Sequence, residues 1–346
     1  HEEPHQGVVL AAATDQAFHI TASPNSLQSI RFFSDDFPPA EPLPVHALGS
    51  YKSRQAWTDI PLGIAATLYR EGIVTQGLDL LIHSSLPPAG FSSSTALSIG
   101  TAMALMGDHH IDGIELADIC LKVQLDFGYS TANLADLYTC LYGREHGAVR
   151  IDFRSKEIDP FPLPRKMALV AVDSGVWPST VRELTHHRRR ECQAVLGLIR
   201  EKFPDVASFR DVTPDALNEV ELVAPLKRAR YIIGENMRSN AFIHAARLGN
   251  TELMGEYVTQ SHRSLQRDFE CSCEEVDYLV SSALELTGTH GARIMGAGFG
   301  GWTLNLVRQD SAAEFRNRIR EVFNYRYGVF PQVIICEPSN GASRVA

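Results

Sequence analysis

Apolar positions along this chain fall into short runs that switch between a spacing of two and a spacing of three or four. Residues 8–11 are a continuous apolar run and 17–20 a second strand-like piece, which together predict an opening sheet. Between Asp35 and Pro44, four prolines mark a surface connection. Trp57, Ile60, Ile64 and Leu68 recur at helical spacing and predict a helix over 57–68. Leu78, Leu80 and Ile82 then alternate with Asp79 and Leu81 as a strand does. A small-residue helix is predicted over 95–106, another over 115–127, and a strand over 149–153. The proline-rich segment 159–164 reads as the boundary between two domains, 1–160 and 161–346. Beyond it come a strand at 168–172, a long mainly helical stretch over 186–286, a strand at 292–295, a glycine turn and a strand at 303–307. A helix with Phe315, Ile319, Val322 and Phe323 on one face leads to a last strand at 333–336. Strands and helices alternate in both halves, which makes the class α+β or α/β in two domains.

Composition narrows the partners. Hydrophobic residues are 44% of the 346, enough for sizeable cores. A formal net charge of −9 argues against nonspecific nucleic-acid or anionic-membrane binding, since both need a basic surface, but leaves room for a local anion pocket. Six scattered cysteines form neither a disulfide framework nor a zinc motif, so a reduced, cytoplasmic setting is expected. No apolar run approaches the roughly eighteen residues a membrane helix needs, and residues 1–7 carry neither part of a signal peptide.

Two glycine-rich segments stand out. Gly90-Phe91-Ser92-Ser93-Ser94 lies between a predicted strand and a predicted helix. Gly90 permits close backbone approach, Ser92 can cap the helix, and the uncapped N–H groups of the first turn suit a phosphate. A plain N-cap after a turn explains the same residues. Gly296-Ala297-Gly298-Phe299-Gly300-Gly301 places four glycines in six residues between two strands, more than a tight turn requires, and so reads as a ligand loop. Asp136, flanked by apolar residues, suits either a general base or a helix surface position.

In their order along the chain these segments resemble the galactokinase family of the GHMP small-molecule kinases. Residues 90–96 resemble the family's phosphate loop, 143–155 the segment after its catalytic aspartate, and 188–192, 227–235 and 261–273 further galactokinase segments. Residues 293–303 (RIMGAGFGGWT) resemble its third motif. The resemblance implies an N-terminal domain like ribosomal protein S5 domain 2 and a C-terminal ferredoxin-like domain. It implies an ATP-dependent sugar-1-kinase working with Mg²⁺ on galactose, a uronic acid or another hexose, as a monomer or a dimer. Asp136 falls on the catalytic aspartate. Gly90, Ser92, Ser93, Ser94 and Trp57 fall on the nucleotide side, and Glu3, His5, Asn133, Thr185, Gly296, Gly298 and Gly300 on the sugar side. Ser93 and Asp126 are the expected Mg²⁺ contacts.

The chain also departs from the family. The catalytic arginine of the N-terminal motif would fall before residue 1. Gln124 stands where the family has a Mg²⁺-ligating glutamate, Asn133 where it has a glycine, Leu137 where it has a glutamine and Thr185 where it has a sugar-contacting tyrosine. These changes keep open an alternative, a catalytically degenerate paralogue that senses sugar and ATP.

Overall fold

The computed structural model describes residues 6–87, 89–127, 132–218 and 225–345. In chain order its strands and helices are β1 (Val8–Ala11), β2 (Phe18–Asn25), β3 (Ser29–Phe33), β4 (Leu43–Pro44), α1 (Asp59–Arg70), β5 (Gly77–Ser84), α2 (Ser93–Met106), α3 (Gly113–Asp126), α4 (Leu134–Tyr142), β6 (Gly147–Asp152), β7 (Glu157–Pro162), β8 (Met167–Asp173), α5 (Val181–Lys202), α6 (Pro214–Asn218), α7 (Leu226–Arg247), α8 (Thr251–Ser264), α9 (Glu274–Glu285), β9 (Thr289–Ile294), β10 (Trp302–Arg308), α10 (Ala312–Tyr327) and β11 (Val333–Cys336). They fall into two units. One holds Ala11–Arg144 with Ser339–Ala346, and the other holds Glu145–Pro338 with the segment ending at Leu10.

In the first unit a four-stranded sheet runs in the order β2-β5-β3-β4. Strand β5 pairs antiparallel with β2 and parallel with β3, so Ile30 and Phe32 line up with Leu78 and Leu80. Ile60, Ile64 and Leu68 of α1 recur every fourth residue and are buried with Leu80 and Ile82 in one apolar core. Trp57 lies just outside that helix, which starts two residues later than its apolar spacing predicts. Asp59, the first helical residue, explains the late start: its buried carboxylate accepts from Tyr51 Oη, Ser53 Oγ and the Arg54 and Ala56 N–H groups at 2.6–3.3 Å, folding 51–58 into a loop. Burial alone would raise the Asp59 pKa, but these donors outweigh it and hold it below the usual value.

The second unit carries an antiparallel sheet in the order β11-β8-β10-β9. Read as β8, helices, β9, β10, α10, β11, this is the strand order of a ferredoxin-like β-α-β-β-α-β unit. Val170, Val172 and Val307 cover one face against Phe315, Ile319 and Phe323 of α10 and Leu279 of α9. A second sheet, β1-β6-β7, pairs Val149 with Pro160 and Gly147 with Pro162. Segment 159–164 is therefore largely strand and not a linker. Its prolines are tolerated because β7 is an edge strand, where a missing N–H breaks no ladder bond. The division between units falls at Arg144/Glu145, not near residue 160.

The helices of this unit are joined by an ion-pair network. Arg228, 3% exposed, donates to Glu191 (3.0 Å), to Glu270 (2.7 Å) and to the Asp268 carbonyl (2.7 Å). Lys227 also pairs with Glu270. Hydrogen bonds from Lys227 and Arg228 hold the Glu270 carboxyl down at about 2, against 4.5 for a free side chain. A carboxylate depressed in the folded state contributes stability that is complete above its unfolded pKa and is lost as pH falls through its folded one. Urea-unfolding midpoints should therefore fall from about pH 4.5 towards pH 2, with a shallower slope in Glu270→Gln.

Candidate active site

Strand β5 leads into a turn and then into α2, whose first turn holds Ser93 and Ser94. Gly90 has φ 86° and Ser92 has φ 51°, ψ 40°, a left-handed conformation unusual for serine. The Ser92 side chain does not cap α2, contrary to the sequence expectation. Its hydroxyl instead donates to Asp136 Oδ2 at 2.6 Å, and an N-cap bond and this one cannot use the same left-handed backbone. The half-buried Ser93 and Ser94 follow in the first turn, where α2 carries no acidic residue to repel an anion.

Asp136 sits in the first turn of α4. Asn133 is the N-cap of that helix, and its Oδ1 accepts from the Asp136 N–H at 2.9 Å. Ala135 and Leu137, on either side, are buried at 3% and 0% exposure, which fixes the roll of the helix and leaves Asp136 half-buried. The structure thus brings Ser92, Asn133 and Asp136 together, although 44 residues separate the first from the last. Asn133 was expected on the sugar side, and its role as a cap was not. One turn on, burial pushes the Cys140 thiol up to about 12, with the Asp136 charge adding to the effect, so it is no nucleophile at neutral pH.

The described residues do not fit a carboxylate-bound Mg²⁺ site. Gln124 is fully buried; its Nε2 donates to Ser98 Oγ at 3.0 Å and its Oε1 is buried without a partner among the described residues. Asp126 cannot replace it: two residues further along a helix is about 200° of rotation, and Asp126 is exposed at the end of α3. Among the described residues no three His, Cys, Asp or Glu side chains gather to hold a metal.

Trp57 belongs to an aromatic cluster, stacked on Phe37 at 4.7 Å and edge-on to Phe32 at 5.8 Å, with Nε1 donating to the Pro38 carbonyl. Glu3 and His5 lie outside the described residues. In the other unit Thr185, on α5, donates to the Val181 carbonyl at 2.8 Å. The glycine loop has positive φ at Gly296, Gly298, Phe299, Gly300 and Gly301. A Cβ at Gly298 would come 2.5 Å from the Cys271 carbonyl oxygen, and one at Gly300 would overlap that of Val176. The close approach at these two glycines is thus to the chain's own backbone, and only at Gly296 is the space open.

Comparison with known proteins adds to this geometry. The family described as "GHMP kinases N terminal domain" matches residues 59–144, and "GHMP kinases C terminal" matches 242–324. The galactokinase of Roseiflexus sp. (strain RS-1) is 30% identical over 100% of this chain and 89% of its own length. That of Thermotoga maritima is 29% identical over 84% of this chain and 82% of its own. Among solved structures, Lactococcus lactis galactokinase complexed with galactose superposes with a TM-score of 0.90 at 22% identity, covering 100% of this chain and 91% of that one. Methanococcus jannaschii mevalonate kinase follows at 0.70 and 16%, covering 97% and 92%.

Proposed function

Because the chain belongs to the galactokinase family of GHMP kinases, we propose that it transfers the γ-phosphoryl group of ATP to the anomeric hydroxyl of a hexose, with Asp136 as the base. The chain is an ATP-dependent sugar kinase of the GHMP fold. The single observation that carries the residue assignment is the Ser92–Asp136 hydrogen bond, which ties the start of the phosphate-loop helix to the carboxylate. Asp136 orients and accepts the proton of the C1 hydroxyl as its oxygen attacks the γ-phosphorus and the bond to the β-phosphate oxygen breaks, releasing ADP. The first-turn N–H groups of α2, beside Ser93 and Ser94, hold the transferring phosphoryl oxygens. Any accompanying Mg²⁺ would be carried by the nucleotide phosphates, with Ser93 as the residue of this chain left to contact it.

Galactose is the first sugar to test, on the strength of the relatives' names. Purified protein is assayed for ADP release over a panel of hexoses and hexuronates, with the product identified by ³¹P NMR. A sugar 1-phosphate formed together with ADP is the expected result. Sugar binding without ATP consumption for any member would instead make the chain a sensor. Among the described residues no helix is long and apolar enough to cross a membrane.

A further inference from the structure

The serine that opens α2 neither caps the helix nor takes an ordinary backbone conformation. At φ 51°, ψ 40° Ser92 is left-handed, where the Cβ of a non-glycine residue is crowded by the backbone. Such a conformation persists only where its surroundings hold it, and residues of this kind gather at functional sites. Two hydrogen bonds hold this one. The Ser92 carbonyl accepts from the Ala96 N–H at 3.0 Å, the first helical bond of α2, and the hydroxyl donates to Asp136 Oδ2 at 2.6 Å. That distance is the one expected of a hydroxyl on an ionised carboxylate, a pair roughly twice as strong as a neutral one.

A serine hydroxyl has one proton to donate. Given to Asp136, it is not available to a phosphate oxygen, so the hydroxyl expected on the nucleotide side is turned to the base instead. The first-turn N–H groups, beside Ser93 and Ser94, are left to the phosphates. Asp136 is in turn held at two places. Its backbone N–H is fixed by Asn133 Oδ1 at 2.9 Å, and the buried Ala135 and Leu137 set the roll of α4. Those contacts leave rotation about the two side-chain torsions undetermined, and a bond to Oδ2 restricts it.

We propose that Ser92 is a positioning residue for the base: its hydroxyl aims the Asp136 carboxylate and takes no part in binding the nucleotide. The inference rests on the kinase reading with Asp136 as base, and Ser92, Asn133 and Asp136 all belong to the Ala11–Arg144 unit. A general base works only within hydrogen-bond reach of the proton it takes, and a small misplacement is costly to the rate. A carboxylate aimed before the substrate arrives needs no reorganisation during the chemical step.

Ser92→Gly removes the hydroxyl and leaves a residue at ease in the left-handed region, whereas Ser92→Ala removes the same hydroxyl and adds strain. With the hexose that the wild type turns over, Ser92→Gly should lower kcat by roughly tenfold to a hundredfold, the usual worth of a hydrogen bond to a charged group. The KM values for ATP and sugar should stay close to wild type. Ser92→Ala should lose as much kcat and also melt at a lower temperature. Asp136→Asn supplies the decisive comparison, because without a base there is nothing for Ser92 to aim. The double variant Ser92→Gly, Asp136→Asn should therefore turn over as slowly as Asp136→Asn and no slower. A role confined to starting α2 would carry its own loss into the double variant. An unchanged kcat in Ser92→Gly, or a loss that adds in full to that of Asp136→Asn, overturns the inference and leaves the kinase reading standing. So does a raised ATP KM at wild-type kcat, which would return the hydroxyl to the phosphates. Absence of ATP consumption by the wild type with every sugar overturns the kinase reading, and the inference with it.

Discussion

Asp136→Asn should leave a folded protein whose turnover is lower by roughly two to four orders of magnitude, the usual worth of a positioned general base. The replacement is nearly isosteric. An amide oxygen can still accept from Ser92 Oγ, and the backbone bond from the residue 136 N–H to Asn133 Oδ1 does not involve the side chain. The loss should therefore appear in kcat, with ATP and sugar affinities close to wild type, because an interaction made only in the transition state has been removed. Steady-state kinetics with calorimetric titration of each substrate separates the two. Unchanged turnover would remove Asp136 from the chemistry and return it to a helix-terminal residue held by Ser92.

Gly255→Ala should destabilise the protein by about 3 kcal/mol or more, the upper range for overpacking a tight site. Gly255 lies in α8, where alanine is intrinsically the better helix former by about 1 kcal/mol. Here packing reverses that preference. A Cβ at Gly255 would overlap the His290 carbonyl of β9, and one at Gly291 would overlap the Gly255 carbonyl. Helix and strand touch backbone to backbone at this crossing, so no side chain can rotate to make room. Chemical denaturation of Gly255→Ala and Gly291→Ala measures the loss. The positive-φ Gly249, with nothing within 4 Å of its Cβ position, is the control at which only backbone strain is felt.

Hydrophobic periodicity alone determined most of the element plan. The four strands of the ferredoxin-like sheet were legible because buried strands read as apolar runs: Val170 and Val172, Ala292 and Ile294, Leu306 and Val307. The last strand, Val333–Cys336, coincides with its apolar run. Helix α2 was legible from its small and apolar residues, and the glycine-serine turn before it marked the candidate phosphate site. The order of motifs along the chain carried the family, because that order is a property of sequence and needs no coordinates.

Other features depended on partners far along the chain. Strand β7 was missed because its prolines signal a linker locally, and only the pairing with β6 makes it an edge strand. Trp57 matches a helical period, yet the hydrogen bonds gathered on Asp59 decide where α1 begins. Ser92 looked like a cap by its place before a helix. Its left-handed backbone and the carboxylate of Asp136 gave the hydroxyl a different partner. The Gly298 and Gly300 positions looked like room for a ligand and are filled by the carbonyls of Cys271 and Val176. Asn133 as the cap of α4 did have a local signal, an Asn just before an apolar run, but it reads equally as a ligand contact until the helix is placed. Local sequence determines propensity and period; the partner of a hydroxyl, a carboxylate or an indole is decided by which segments the fold brings within about 3 Å of it.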